Sequence, residues 1–288
     1  MTGCGDAGEE WRPLGIKLSI MQTRKRILLA AGLAGVALIA GFFVAFRGRD
    51  LVAGREDALL GMRPVANGFA VVELFTSEGC SSCPSADALV AAVQKENKDQ
   101  PVYILAFHVD YWDRLGWKDA FSDAAYSDRQ RAYAGWLGLS SIYTPQVVVN
   151  GRKEFVGSDA VKLRQAISSG LQETPKAMVS LGEVKLTGNV VRWQAHAEGA
   201  GRGVSLLVAV VERQAETKVK AGENGGKTLS HVQIVRSLVT MRLDEKGNGS
   251  GQLEWPAGVD VKDGEVIALV QDQGSGQIIA ATRAVAGQ

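Results

Sequence analysis

The sequence is poor in the residues that make most function classes easy to recognise. It carries three cysteines and three histidines in 288 residues. Three cysteines are too few for a disulfide-dense scaffold. The histidines His108, His196 and His231 stand nowhere near the His-x3–5-His spacing of a zinc site. Thirty-two basic residues against thirty-one acidic ones leave a formal charge of +1. With no Lys/Arg run outside the N-terminal region, the electrostatic footprint of a nucleic-acid partner is missing. No phosphate loop is present either: the Gly-rich stretch Gly222-Glu223-Asn224-Gly225-Gly226 lacks the strand–helix setting. It reads as a loop between strands. Were it to pack near the cysteine pair, Glu223 or Asn224 would become an accessory contact there.

What the chain does have is the composition of a folded protein, 46% hydrophobic and 22% charged. Its length suits one large domain or two modest ones. Two of the cysteines, Cys80 and Cys83, sit three residues apart between an apolar strand and a helical pattern. A cysteine that opens a helix faces unpaired backbone N–H groups and the positive end of the dipole. That setting favours the thiolate, the form that attacks disulfides or binds metals.

Residues 27–46 form an uncharged apolar run, preceded by Arg24-Lys25-Arg26 and followed by Arg47 and Arg49. About twenty such residues suffice to cross a hydrocarbon core. Bulky Phe42, Phe43 and Phe46 stand where a cleavage site would need small residues. The run therefore reads as a membrane anchor, with a cleaved signal as the alternative. Either places the rest of the chain in the periplasm, anchored to the inner membrane or free, where a reactive cysteine pair has work to do. Met21 precedes the basic cluster and reads as the true start, which makes residues 1–20, with Cys4, a mis-called start. Residues 47–68 read as a linker.

From 69 to 175 the pattern is strand, helix, strand, with the second strand at 102–107 ending at His108. Such an order argues for parallel pairing through a right-handed crossover. His108 then lies on the same rim as Cys80, at the sheet edge where chemistry collects. A helical pattern over 118–137 follows, then Thr144-Pro145, a strand, Asn150-Gly151 as a hairpin turn, a return strand through Phe155-Val156, and a helix capped by Ser158 or Asp159 and running to about Leu171. After Pro175 the pattern alternates. Strands near 179–186, 190–196, 204–212, 231–239, 266–271 and 277–282, with Gly-rich turns, predict an all-β sandwich-like domain over 176–288.

The strand–Cys-x-x-Cys–helix, Thr-Pro-strand-Asn-Gly-strand and closing helix resemble the thioredoxin-like superfamily, with a helical insertion at 112–140. More narrowly, four stretches resemble an exported bacterial family known as domain of unknown function 1223: Glu73–Asp87, His108–Asp113, Leu115–Lys118 and Tyr143–Val147. The likeness runs from about residue 69 to the C-terminus. It implies an α/β thioredoxin-like fold for 69–175 and supplies no substrate.

By that resemblance Cys80 is the attacking cysteine, Cys83 the resolving one, and Thr144-Pro145 the segment packed against the pair, presenting backbone to an extended substrate. Among the aromatic residues Tyr111, Trp112, Trp117 and Trp136 near the rim, Trp112 is the candidate to face a substrate peptide. The expected function is an exported thiol–disulfide oxidoreductase acting on protein thiols or disulfides without a cofactor. Ser81-Ser82 between the cysteines and Gly79 before them leave the redox poise open. Two other readings of the pair stand beside it. One is a structural disulfide. The other is a binding protein, such as a Cu(I) carrier using Cys80, Cys83 and His108. Glu73, inside an apolar strand, is either a proton acceptor for Cys83 or the partner of Arg129, Arg131 or Lys118. Asp110 and Asp113 read as turn formers or proton-relay groups.

Overall fold

The computed structural model describes residues 67–285. The apolar run 27–46 and the suspected early start lie outside them. Among the described residues no helix is long and apolar enough to cross a membrane.

The apolar run after Phe69 becomes β1 (Ala70–Thr76), buried at every position. Cys83 and Pro84 open α1 (Cys83–Glu96), where a proline costs no hydrogen bond because first-turn N–H groups have no helical acceptor. β2 (Val102–His108) returns parallel to β1, with Thr76 opposite His108. A short 3-10 turn over Asp110–Leu115 leads to α2 (Ala124–Leu137). The helix expected from residue 118 starts only after Asp123, whose carboxylate accepts the Ala125 N–H. β3 (Gln146–Val149) and β4 (Lys153–Val156) form the expected hairpin. Asn150 and Gly151 take φ of 50° and 67° at its turn, the backbone that Asn-Gly adopts most cheaply. Asp159 caps α3 (Ala160–Gln172) through the Lys162 N–H.

The strands beyond residue 175 do not form a separate sandwich. β5 (Met178–Thr187), β6 (Val190–Glu198) and β9 (Asn248–Glu254) make a small antiparallel sheet. β7 (Val204–Lys218), β8 (Thr228–Arg242), β10 (Gly264–Asp272) and β11 (Ile278–Ala284) instead extend the sheet begun by β1 and β2. The result is one eight-stranded mixed sheet in the order β11-β10-β7-β8-β2-β1-β3-β4. The expected layout, a thioredoxin-like α/β domain followed by a β-sandwich, is thus overturned: the molecule is mostly β and the sheet is shared between its two halves.

Alternation along the strands explains this. Leu206, Val208 and Val210 of β7 pack with Trp193 and Val191 of the small sheet, while Leu207, Ala209 and Val211 pack with Phe107, Tyr126 and Tyr133. A strand apolar on both faces must be covered on both. β7 is covered by the small sheet on one side and by the α2 layer on the other. α1 and α3 cover the β1–β4 end beside the small sheet's side, through Val72, Leu74, Ala86, Val90 and Leu163.

Candidate functional site

Cys80 and Cys83 form a disulfide with Cα atoms 5.4 Å apart. The turn that presents them is tightly bonded. The Cys80 N–H donates to the Ser77 carbonyl, the Cys83 N–H to the Cys80 carbonyl, and the Gly79 N–H to Ser77 Oγ. Gly79 lets Trp112 pack closely on the turn, since a Cβ there would stand 3.3 Å from the Trp112 Cβ. Cys80 is 1% exposed and Cys83 0%, whereas Ser81 and Ser82 face solvent.

The loop of residues 219–227, between β7 and β8, lies across this turn. Buried Asn224 donates from Nδ2 to the carbonyls of both Glu78 and Cys80, each at 2.9 Å. Its Oδ1 accepts from Lys227 Nζ. The exposed Glu223 accepts the Ser81 N–H at 2.9 Å, and the Ser81 side chain first, with that N–H second, holds its carboxyl below its ordinary value. Gly222 packs on Trp117 and Leu115, where a Cβ would stand 3.2 Å from the Trp117 Cβ. The loop read as a mere connection is a strap, and both of its conditional accessory contacts are made.

Behind the turn lies a buried group of three carboxyls and two imidazoles. His108 Nδ1 is 2.7 Å from Asp119 Oδ2, which also accepts the Glu78 N–H at 2.8 Å. Trp117 Nε1 donates to Glu78 Oε2 at 2.7 Å. His231, on β8, places Nε2 3.5 Å from Glu78 Oε1 and Nδ1 3.9 Å from Asp87 Oδ2. The rings of His108 and His231 meet edge to face at 4.9 Å, with Phe121 against both. Burial alone would strip His108 of its proton, but the Asp119 carboxylate beside it raises its affinity above the ordinary histidine value. Asp119 is lowered in turn: burial pushes it up, and His108 with two backbone N–H groups outweighs that. Glu78 is also lowered against its burial, chiefly by His231, with Thr217 and Trp117 adding to the effect. Asp87 goes the other way. Burial raises it more than His231 and His108 can offset, so its proton is held more tightly than in a free aspartate.

The remaining expected site residues are distributed around this centre. Trp112 Nε1 donates to Thr144 Oγ1 at 2.8 Å and so ties the cysteine turn to the Thr144–Pro145 segment. That peptide bond is cis, and the Pro145 carbonyl accepts the Gly157 N–H. Glu73 is paired with Arg129 at 2.6 Å and also accepts the Tyr133 hydroxyl, on the α2 face of the sheet. Asp110 meets Ser127, and Asp113 accepts from Ser122 and the Asp119 N–H. Among the described residues no group of three or more His, Cys, Asp or Glu side chains is placed to hold a metal ion, the set Cys80, Cys83 and His108 included.

Sequence reasoning missed Glu78, Asp87, Asp119 and His231. By pattern His231 falls in the expected all-β domain over 176–288, and only the β2–β8 pairing, Ala106 opposite Ile234, brings it to His108. Asp87 gave a usable signal: it stands four residues after Cys83 on the apolar face of α1, an expensive place for a carboxyl with no task.

Two solved proteins are similar to this arrangement of chain. The crystal structure of protein AGR_C_4864 from Agrobacterium tumefaciens is 30% identical, with a TM-score of 0.58, covering 79% of this chain and 97% of that one. HBP35 of Porphyromonas gingivalis aligns over 77% of this chain and 76% of its own, at 19% identity and a TM-score of 0.52. That is a likeness of fold alone. No protein of curated function matches the chain. Residues 71–271, which hold the cysteine turn, both buried histidines and the strap, match the family described as "Protein of unknown function (DUF1223)", and the chain belongs to that family.

Proposed function

We propose that the protein is an exported thiol–disulfide oxidoreductase that exchanges electrons with protein thiols or disulfides through Cys80 and Cys83. The observation that carries this reading is the Cys80–Cys83 disulfide set at the opening of α1 with proton-holding groups buried behind it. A purely structural disulfide needs no such neighbours. In the reducing direction, the Cys80 thiolate attacks one sulfur of a partner disulfide. A mixed disulfide forms and one partner thiolate leaves. Cys83, giving up its proton, then attacks Cys80 Sγ, releases the second partner thiolate, and closes the Cys80–Cys83 bond. Two electrons pass to the partner, and the same steps reversed oxidise a dithiol.

Because Cys80 is buried, a protein partner engages it only after the strap has moved away from the turn. The segment 27–46 would hold the chain at the inner membrane, or direct its export if cleaved, and so place the pair in the periplasm. Trp112 and Thr144, joined by a hydrogen bond, border the turn and are the groups an extended partner would touch.

The test is partner trapping. Cys83→Ser in the full chain should accumulate mixed disulfides through Cys80, visible as thiol-sensitive adducts on non-reducing gels, and Cys80→Ser should not. Absence of adducts from the first variant would refute turnover and leave a binding protein or an inert disulfide.

A further inference from the structure

The strap sets a carboxylate on the cysteine turn, against the residue that follows Cys80. The positive end of α1 and the N–H groups at its start would ordinarily lower the acidity threshold of a cysteine there. The N–H of Ser81, the residue next to Cys80 and just ahead of the N-cap of α1, is taken by Glu223 at 2.9 Å. Glu223 is exposed but fixed, because its neighbour Asn224 is buried and bonded to the turn on two carbonyls.

We infer that Glu223 is the positioning residue that raises the pKa of Cys80 and so sets the poise of the cysteine pair. The inference rests on the proposed redox reading for its biological meaning, though the acidity of Cys80 is measurable whether or not turnover exists. When a dithiol reduces the disulfide, two electrons and one proton enter the pair and leave a Cys80 thiolate and a Cys83 thiol. The other proton goes to solvent, and the dithiol becomes a disulfide. The new thiolate meets Glu223 twice over. It is repelled by the carboxylate, and it competes for the Ser81 N–H that the carboxylate holds. Both effects disfavour the thiolate and so favour the disulfide.

The other charged groups around the turn have partners of their own. Glu78, on the turn itself, is tied to Trp117 and faces His231. Asp119 is tied to His108. Asp87, on α1 one turn beyond Cys83, is buried and faces His231. Lys227 on the strap donates to Asn224. Glu223 is therefore the carboxylate whose removal changes the charge facing Cys80 while leaving the buried group intact.

The experiment is a titration of the reduced full-length protein, following thiolate absorbance in the near ultraviolet against pH, for the wild type, Glu223→Gln and Glu223→Asp. One unit charge several ångströms away in a partly hydrated setting is worth roughly half to one pKa unit. The Cys80 midpoint should fall by about that much in Glu223→Gln and stay near the wild-type value in Glu223→Asp. The difference should shrink in about 1 M salt, where the Debye length is about 3 Å. Above both midpoints, a one-unit fall makes the pair about tenfold easier to reduce against a dithiol buffer, about 30 mV. An unchanged midpoint in Glu223→Gln, or an equal fall in Glu223→Asp, overturns the inference. A shifted midpoint in a protein that traps no partners upholds it while sinking the oxidoreductase reading, so the two failures are distinguishable.

Discussion

Replacing Asn224 with alanine should loosen the strap and expose the disulfide. Asn224 is fully buried and donates two hydrogen bonds of 2.9 Å to the carbonyls of Glu78 and Cys80. Alanine supplies neither donor; the Cys80 carbonyl keeps the Cys83 N–H, while the Glu78 carbonyl loses the donor that Asn224 gave it. Each lost bond costs about 1 kcal/mol net, and a buried acceptor left unsatisfied costs about 1–3 kcal/mol, so a total near 2–4 kcal/mol is expected. If the strap opens locally, about 2 kcal/mol multiplies its open population roughly thirtyfold. Reduction of the wild-type disulfide by a water-soluble phosphine should be slow, because Cys80 and Cys83 are 1% and 0% exposed. In Asn224→Ala it should accelerate by a factor of tens, read by counting thiols over time. Global unfolding in denaturant should fall by less than the full 2–4 kcal/mol if the open-strap state is itself folded. A reduction rate within twofold of wild type, together with an unchanged denaturation midpoint, would refute the clamp.

Two further outcomes follow from the buried charges. Arg129→Ala strands the Glu73 carboxylate and the Tyr133 hydroxyl in the α2 layer and should cost about 3–5 kcal/mol in a denaturant titration, whereas Glu73→Leu with Arg129→Met should cost far less than the sum of the single changes; a single-variant loss under about 1 kcal/mol would contradict the pairing. Stability should also peak in mild acid. His108 binds its proton more tightly folded than unfolded, so its contribution is complete below its ordinary value of 6.5 and is lost as pH rises through the raised folded value. Asp119 is lowered, so its contribution is present above 3.8 and is lost as pH falls through the folded value. The raised Asp87 contributes stability that is complete below 3.8 and is lost as pH rises through its raised folded value. Thermal melts from pH 4 to pH 9 should show a maximum between those limits, and His108→Gln should flatten the alkaline side; a flat wild-type profile would contradict this account.

The parts of this molecule written locally were legible. Asn150-Gly151 specified its hairpin through backbone preference alone, and of the two roles open to Glu73 in its apolar strand, proton acceptor for Cys83 or partner of a cation, the structure shows the pair with Arg129. The turn carrying Cys80 and Cys83 was found from spacing. The sheet order was not, because pattern tells a strand which faces it buries and not which neighbour it joins. β7 has the same apolar alternation whether it closes a separate sandwich or extends the sheet of β2. Its burial on both faces was the missed hint. The error then propagated, since His231 and Asn224 reach the cysteine turn only through that sheet. Asp119 was lost for a different reason: it was read into a helix that starts only after Asp123.

The shared sheet has a practical consequence for anyone wishing to handle the cysteine-bearing part by itself. Composition invites a cut at Pro175, and the fragment upstream of it would retain both cysteines, Trp112 and Pro145. It would lack His231, Glu223 and Asn224, and it would expose the edge of β2 where Ile234 pairs with Ala106. Bare strand edges recruit other chains. Such a fragment would bring a naked cysteine turn together with a sticky border, so its reactivity and its self-association would report on the cut and not on the protein.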